Sequence, residues 1–247
     1  MSVQASAPGP PPASYHLVLW DIDKTLVDIG GLSREIYAEA FEQVTGQPLG
    51  DMSSMAGKTD RDLTLTALRL HGVPEPESHL EQFYEALAAV TAERQADIRQ
   101  RGCRLPGALE AVKALDRPGV AQTVVTGNIR PIAEIKLEAF DLAGPIDFDI
   151  GGYGSDDGVR ANLVRLALAR VAGKYGELDP GQAVVIGDTT YDIGGAKANG
   201  VKAIGIASGD TTVSELEAAG ADGALPSLEA TNQLVRLVLG EAANPTA

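Results

Sequence analysis

Apolar residues follow two rhythms along this 247-residue chain. The run Leu17-Val18-Leu19-Trp20, apolar at consecutive positions, predicts a strand at about 16–20 that is buried on both faces. From residue 32 the spacing changes to three and four. Segments 32–45, 60–71 and 77–100 read as amphipathic helices, separated by Gly46-Gln47-Pro48 and Gly72-Val73-Pro74 and closed by Gly102. Beyond Pro106 short apolar runs alternate with helical segments. They predict helix 107–116, strand 121–126, helix 130–139, strand 146–150, helix 160–173, strand 182–187, helix 191–199, strand 201–207, helix 212–219, strand 222–225 and helix 227–240. Strands alternating with helices imply parallel strands joined by right-handed crossovers. The predicted fold is α/β: a doubly wound, Rossmann-like parallel-sheet core of residues 15–29 and 106–240, interrupted after its first strand by an inserted α-helical cap of residues 30–105. Residues 1–14, rich in Pro, Ala and Ser, read as a disordered tail, and 241–247 as a second tail.

Composition narrows the field of partners. With 34 acidic against 20 basic residues the net charge is −14, which repels nucleic acid and anionic lipid, so neither is expected as a partner. No run approaches the ~20 apolar residues of a membrane span. The N-terminal segment lacks the basic start and apolar centre of a secretory signal, and the lone Cys103 cannot form an internal disulfide. A cytoplasmic protein is expected, as a monomer or homodimer. Cys103 reads as a small buried hydrophobe rather than a nucleophile, and His16, His71 and His79 as structural or surface residues.

The strand ending at Trp20 delivers Asp21 and Asp23 to the C-terminal edge of the sheet, where open α/β sheets bind ligands. Two residues apart in an extended segment, their carboxylates share a side. Asp21 can attack phosphorus through one oxygen while the other binds a cation. Asp23 can protonate the leaving oxygen and then deprotonate the water that cleaves the aspartyl-phosphate. A strand end with a turn cap is the competing reading of the pair. Val124-Val125-Thr126-Gly127-Asn128 ends another strand with a hydroxyl, a glycine that lets backbone approach a ligand, and an amide. Such a turn offers N–H groups and the Thr126 hydroxyl to a phosphate, the alternative being a plain helix N-cap by Asn128. A third strand end, Gly187-Asp188-Thr189-Thr190-Tyr191-Asp192, supplies Asp188 as a metal ligand and Asp192 as either a further ligand or an orienting group. Oxygen ligands with no nearby His or Cys favour Mg²⁺ over zinc.

Taken in order and spacing, Asp21-Ile22-Asp23-Lys24-Thr25-Leu26, Thr126-Gly127-Asn128 and Gly187-Asp188-Thr189-Thr190-Tyr191-Asp192 resemble three signature motifs of the haloacid dehalogenase superfamily. The likeness covers nearly all of the chain after the tail. Residues 126–143, through Lys136-Leu137 to Leu142, resemble in particular its phosphoglycolate phosphatase and phosphoglucomutase-like branch, which carries a helical cap after the first motif. The resemblance implies Asp21 as nucleophile, Asp23 as acid/base and as a metal ligand through its backbone carbonyl, and Asp188 as the third metal contact. It gives Thr126 and Asn128 the transferring phosphoryl group. Two positions depart from the pattern. Lys24 stands where the family commonly has Gly, and no lysine lies between 151 and 165, where the third motif usually supplies one. Arg160 is the expected substitute, because a guanidinium can hold a phosphate oxygen and a carboxylate together. In the cap, Gly57-Lys58-Thr59-Asp60-Arg61 resembles the substrate-facing loop, with Lys58 or Arg61 placed to read a distal carboxylate or second phosphate.

These readings converge on a Mg²⁺-dependent phosphatase acting on a small phosphorylated, phosphoglycolate-like metabolite. A sugar-phosphate mutase shares the nucleophile and acid/base and is the closest rival. A noncatalytic phosphoacceptor signalling module would need neither Asp23 as a proton shuttle nor a large cap over the site.

Overall fold

The computed structural model describes residues 15–240 except 51 and 53; the predicted tails lie outside the described residues. The chain enters through β1 (His16–Trp20), leaves by the short β2 (Val27–Asp28), builds α1 (Leu32–Thr45), α2 (Asp60–Leu70), α3 (Leu80–Glu93) and α4 (Gln95–Arg101), and returns by β3 (Cys103–Arg104). It then alternates through α5 (Ala108–Ala114), β4 (Val120–Val124), α6 (Arg130–Ala139), α7 (Arg160–Tyr175), β5 (Ala183–Gly187), α8 (Thr190–Lys197), β6 (Lys202–Ile206), α9 (Val213–Ala218), β7 (Gly223–Leu225) and α10 (Thr231–Leu239). The sheet order is β4-β1-β5-β6-β7, all parallel.

The strand β1 sits between two neighbours and two helical layers, which is why its residues are apolar without alternation. Leu17 and Leu19 pack with Val185, Leu163 of α7 and Ile193 of α8 on one face. Val18 and Trp20 pack on the other with Val112 of α5, Leu137 of α6 and Leu234 of α10, in a cluster continuous with the cap residues Phe41, Leu68 and Phe83. The Trp20 indole is satisfied inside this core: Nε1 donates to Gln122 Oε1 at 2.9 Å, and Gln122 Nε2 donates to the Val112 carbonyl at 3.1 Å.

Three local features differ from the sequence expectation. Segment 77–100 is not one helix but a 3₁₀ turn, Pro76–His79, followed by α3 and α4, which break at Arg94. There the Arg94 side chain ties Glu39 of α1 at 3.1 Å and Asp97 of α4 at 2.7 Å. The predicted strand 146–150 is also absent. Asp147 instead accepts from the Asp149 N–H and caps a 3₁₀ turn, Phe148–Ile150, a local bond that competes with strand pairing. Only two isolated parallel bridges, Gln122 to Ile146 and Val125 to Gly152, mark where that strand would lie beside β4. Finally, β2 and β3 pair antiparallel at the root of the cap, too short to leave a pattern, and Cys103 on β3 is exposed rather than buried.

From β1 the chain builds outward to β4 and then returns to β5 on the other side of β1. The strand order therefore reverses between β1 and β5, the crevice where doubly wound sheets bind ligands.

Candidate active site

Adjacent strands place the first and third acidic strand ends side by side. Asp21 continues β1 by donating its N–H to the Ile186 carbonyl at 2.8 Å, and Asp188 follows β5 directly. The Thr25 hydroxyl lies 3.3 Å from both Asp21 Oδ2 and Asp188 Oδ1. Thr25 reaches back because residues 22–27 form a tight loop, in which the Leu26 and Val27 N–H groups both donate to the Ile22 carbonyl. Lys24 in this loop has φ 64°, the left-handed region that favours glycine. Its side chain turns outward to Asp28 at 2.5 Å, although the residue still borders the cavity.

Arg160, the first residue of α7, is buried. Its Nη2 lies 3.0 Å from Asp21 Oδ1 and 3.0 Å from Asp192 Oδ1. The other Asp192 oxygen accepts from the N–H and hydroxyl of Thr189 in the capping box that opens α8. Asp21, Asp188 and Asp192 each bring a carboxylate oxygen within 4.8 Å of the others, all three residues being buried. Burial lifts the Asp21 carboxyl well above the ordinary carboxylate range; Arg160 opposes the rise, while Asp192, Asp188 and Asp23 reinforce it. Burial, followed by repulsion from Asp192, pushes Asp188 to about 7. Three buried carboxylates facing a single guanidinium fit a hard divalent cation, which would relieve their repulsion.

A cavity of about 280 Å³ opens at this point between the core and the cap. Asp21, Asp23, Lys58, Thr126, Gly127, Asn128, Arg160 and Asp188 all line it, whereas Asp192 stands behind the wall. Lys58 is within 3.8 Å of Asp62, and Arg61 is not part of the cavity wall. His71 is tied into the structure: its Nε2 accepts from the Gly50 N–H, and Nδ1 lies 2.8 Å from the Ala67 carbonyl.

The turn after β4 is used in two ways the sequence did not indicate. Asn128 donates its side-chain amide to Asp23 Oδ2 at 2.7 Å and to Thr126 Oγ1 at 2.8 Å, so its side-chain donors are engaged within the protein. Gly127, expected to let backbone approach a ligand, also admits the cap: a Cβ there would stand 2.1 Å from the Lys58 carbonyl oxygen. Its carbonyl accepts from the Asp60 N–H at 2.7 Å, and the Ile129 N–H donates to Asp60 Oδ2 at 2.7 Å. A third bond runs from the Arg61 N–H to the Gly154 carbonyl at 3.0 Å. The Gly127 N–H, in contrast, has no hydrogen-bond partner among the described residues.

Two members of this site stand in the sequence only as parts of longer motifs, with no role of their own. Asp60, at the first turn of α2, is buried against the core loop, and burial pushes its carboxyl to about 6 despite the bond from Ile129. Lys136 on α6 is also buried, with Nζ 2.7 Å from both Asp23 carboxylate oxygens. A signal for it existed: Lys136 interrupts the apolar face made by Ile132, Ala133 and Leu137, where a charge is out of place unless it is paired.

The chain is similar to known proteins over most of its length. The chain is 26% identical over 207 residues to a phosphoglycolate phosphatase of Agrobacterium fabrum, covering 81% of this chain and 84% of that one. It is 27% identical over 202 residues to the tyrosine-protein kinase PtkA of Mycobacterium tuberculosis, covering 81% and 64% of the two chains. Among solved structures, a putative β-phosphoglucomutase from Bacteroides vulgatus shares the fold with a TM-score of 0.61 at 18% identity, over 92% of this chain and 90% of that one. The family model described as haloacid dehalogenase-like hydrolase matches residues 18–197, so the chain belongs to the haloacid dehalogenase-like hydrolases.

Proposed function

We propose that the protein is a Mg²⁺-dependent phosphatase that hydrolyses a small phosphorylated, phosphoglycolate-like metabolite through an aspartyl-phosphate. The observation that carries this reading is the buried Asp21 carboxylate at the strand-switch crevice, held 3.0 Å from Arg160 and beside Asp188. One Asp21 oxygen attacks phosphorus, and the leaving oxygen departs with a proton from Asp23. Asp23 then takes a proton from the water that attacks the aspartyl-phosphate, which releases inorganic phosphate, frees the Asp21 carboxylate and returns Asp23 to the protonated form that began the cycle. Arg160, the Thr126 hydroxyl and the Gly127 N–H face the phosphoryl oxygens, as phosphoryl transfer requires positioning and charge stabilisation above all.

Asp21, Asp188 and the Asp23 backbone carbonyl would hold Mg²⁺, which when bound supplies charge neutralisation to the phosphoryl oxygens. Of the two roles open to Asp192, orienting Arg160 is the better supported, since one oxygen accepts from Thr189 and the other, which makes no hydrogen bond, lies in ion-pair range of the Arg160 guanidinium at 3.0 Å. Lys58, on the cap side of the cavity, is the residue that would read a distal carboxylate. The phosphatase relatives and the cap over the site support hydrolysis of a small molecule over a signalling role.

A panel of phosphorylated metabolites, assayed with Mg²⁺ and after chelation, tests the proposal. Phosphate release from two- and three-carbon phosphoacids, lost on chelation and restored by Mg²⁺, is the expected result. Conversion of a hexose phosphate to its isomer without phosphate release would make the protein a mutase instead.

A further inference from the structure

Lys136 is the one buried lysine among the described residues, and its surroundings account for each of its protons. Nζ donates to Asp23 Oδ1 at 2.7 Å, to Asp23 Oδ2 at 2.7 Å and to Asn128 Oδ1 at 2.9 Å. Burying an ammonium costs several kcal/mol unless such partners compensate it. The pair is lopsided: the Lys136 side chain is 4% exposed and that of Asp23 40%. The lysine therefore grips Asp23 from behind, leaving the carboxylate open to the cavity.

The same contact fixes Asn128. With its carbonyl committed to Lys136, its amide faces Asp23 Oδ2 and the Thr126 hydroxyl, and the reverse orientation would set an amide N–H against an ammonium. Lys136, Asn128 and Thr126 thus form one rigid bracket, built on α6 and the turn after β4, that meets the loop carrying Asp23. Without it, the Asp23 side chain has a flexible choice of rotamers on that loop. With it, the Asp23 carboxylate stays out of the cluster formed by Asp21, Asp188 and Asp192. The site is divided into an acidic side for a cation and a separate side where one carboxylate faces the leaving group.

We propose that Lys136 is the positioning residue for Asp23, holding its carboxylate on the leaving-group side of the cavity. The inference rests on the reading of Asp23 as the proton donor. Its signature is dependence on the leaving group, because an activated aryl oxide departs without protonation and an alkoxide does not.

The test is single-turnover phosphoryl transfer with Mg²⁺ present, comparing p-nitrophenyl phosphate with an alkyl phosphate, in Lys136→Met and Asp23→Asn proteins. Lys136→Met is expected to slow transfer from the alkyl phosphate by about 10²-fold and from the aryl phosphate by less than about 10-fold, within the usual range for a general acid. Its KM should change little, and Lys136→Arg should recover part of the lost rate. Equal losses on both substrates, or a change in KM alone, overturn the assignment. If Lys136→Met does not fold, the same ratio is read on Lys136→Gln. Should Asp23→Asn itself fail to separate the two substrates, the proton-donor reading is what fails, and the Lys136 assignment falls with it.

Discussion

The two walls of the cavity are held in place by different physics. On the core side, Asp21 and Asp188 are fixed by strand pairing, buried and mutually repelling, with Arg160 as the guanidinium set between Asp21 and Asp192. On the cap side, α2 is fastened by backbone hydrogen bonds to Gly127 and Gly154 and by the Asp60 carboxylate on the Ile129 N–H. The core wall concentrates charge that chemistry requires. The cap wall uses neutral backbone groups and one carboxylate to close the cavity. Damage to the first should therefore remove turnover and spare the fold, whereas damage to the second should move stability and substrate affinity.

The largest expected effect is on the core side. Asp21→Asn should lower turnover of an aryl phosphate by about 10³-fold or more, as loss of the proposed nucleophile would. Its melting temperature should stay level or rise, since a buried, repelled carboxylate is replaced by a neutral amide. A melting temperature that falls steeply would mean that Asp21 holds the core together, and the division between the walls would fail.

A pH titration of stability probes the cap latch next. Asp60 has its folded-state pKa raised from 3.8 to about 6. The folded state thus holds the proton more tightly than the unfolded chain does, and the stability this confers is full below about pH 4. It is lost as pH rises through about 6, a change on the order of 3 kcal/mol. Asp60→Asn keeps an acceptor for the Ile129 N–H but cannot ionise. The melting temperature of that variant should decline less between pH 4 and 7 than that of the unaltered protein, and parallel curves would remove Asp60 from the latch.

The smallest effect should come from Gly127→Ala. Its new methyl would stand 2.1 Å from the Lys58 carbonyl, so the cap loop must lift. Destabilisation of about 1–3 kcal/mol is expected, with a rise in KM larger than the fall in kcat. Thermal melts and steady-state kinetics on one preparation measure both. A variant with normal KM would show that contact between Lys58 and the turn after β4 does not shape the bound state.

The core wall was legible in the sequence because each of its parts is local. An apolar run ending in an acid marks a buried strand and its functional end, and the α/β alternation brings β1 and β5 together without knowledge of any distant side chain. The cap wall was not legible in that way. The neighbour of Gly127 is Lys58, far away in sequence, and no spacing rule links a turn glycine to a cap loop. Lys136 is the intermediate case, since its charge on an apolar helix face was visible but its partner, 113 residues earlier, was not. The missing strand at 146–150 failed for a third reason: the Asp147 N–H does reach β4, but its side chain then captures the Asp149 N–H and turns the backbone away from the sheet.

The pairing of β2 with β3 has a consequence for how such a protein can change. Val27 lies opposite Arg104 and Asp28 opposite Cys103, so the chain departs for its excursion and comes home at nearly the same point. An insertion with adjoining ends can lengthen, shorten or be exchanged for another while the sheet beneath it keeps its register. The catalytic floor can remain ancient while its roof is refitted for a new substrate.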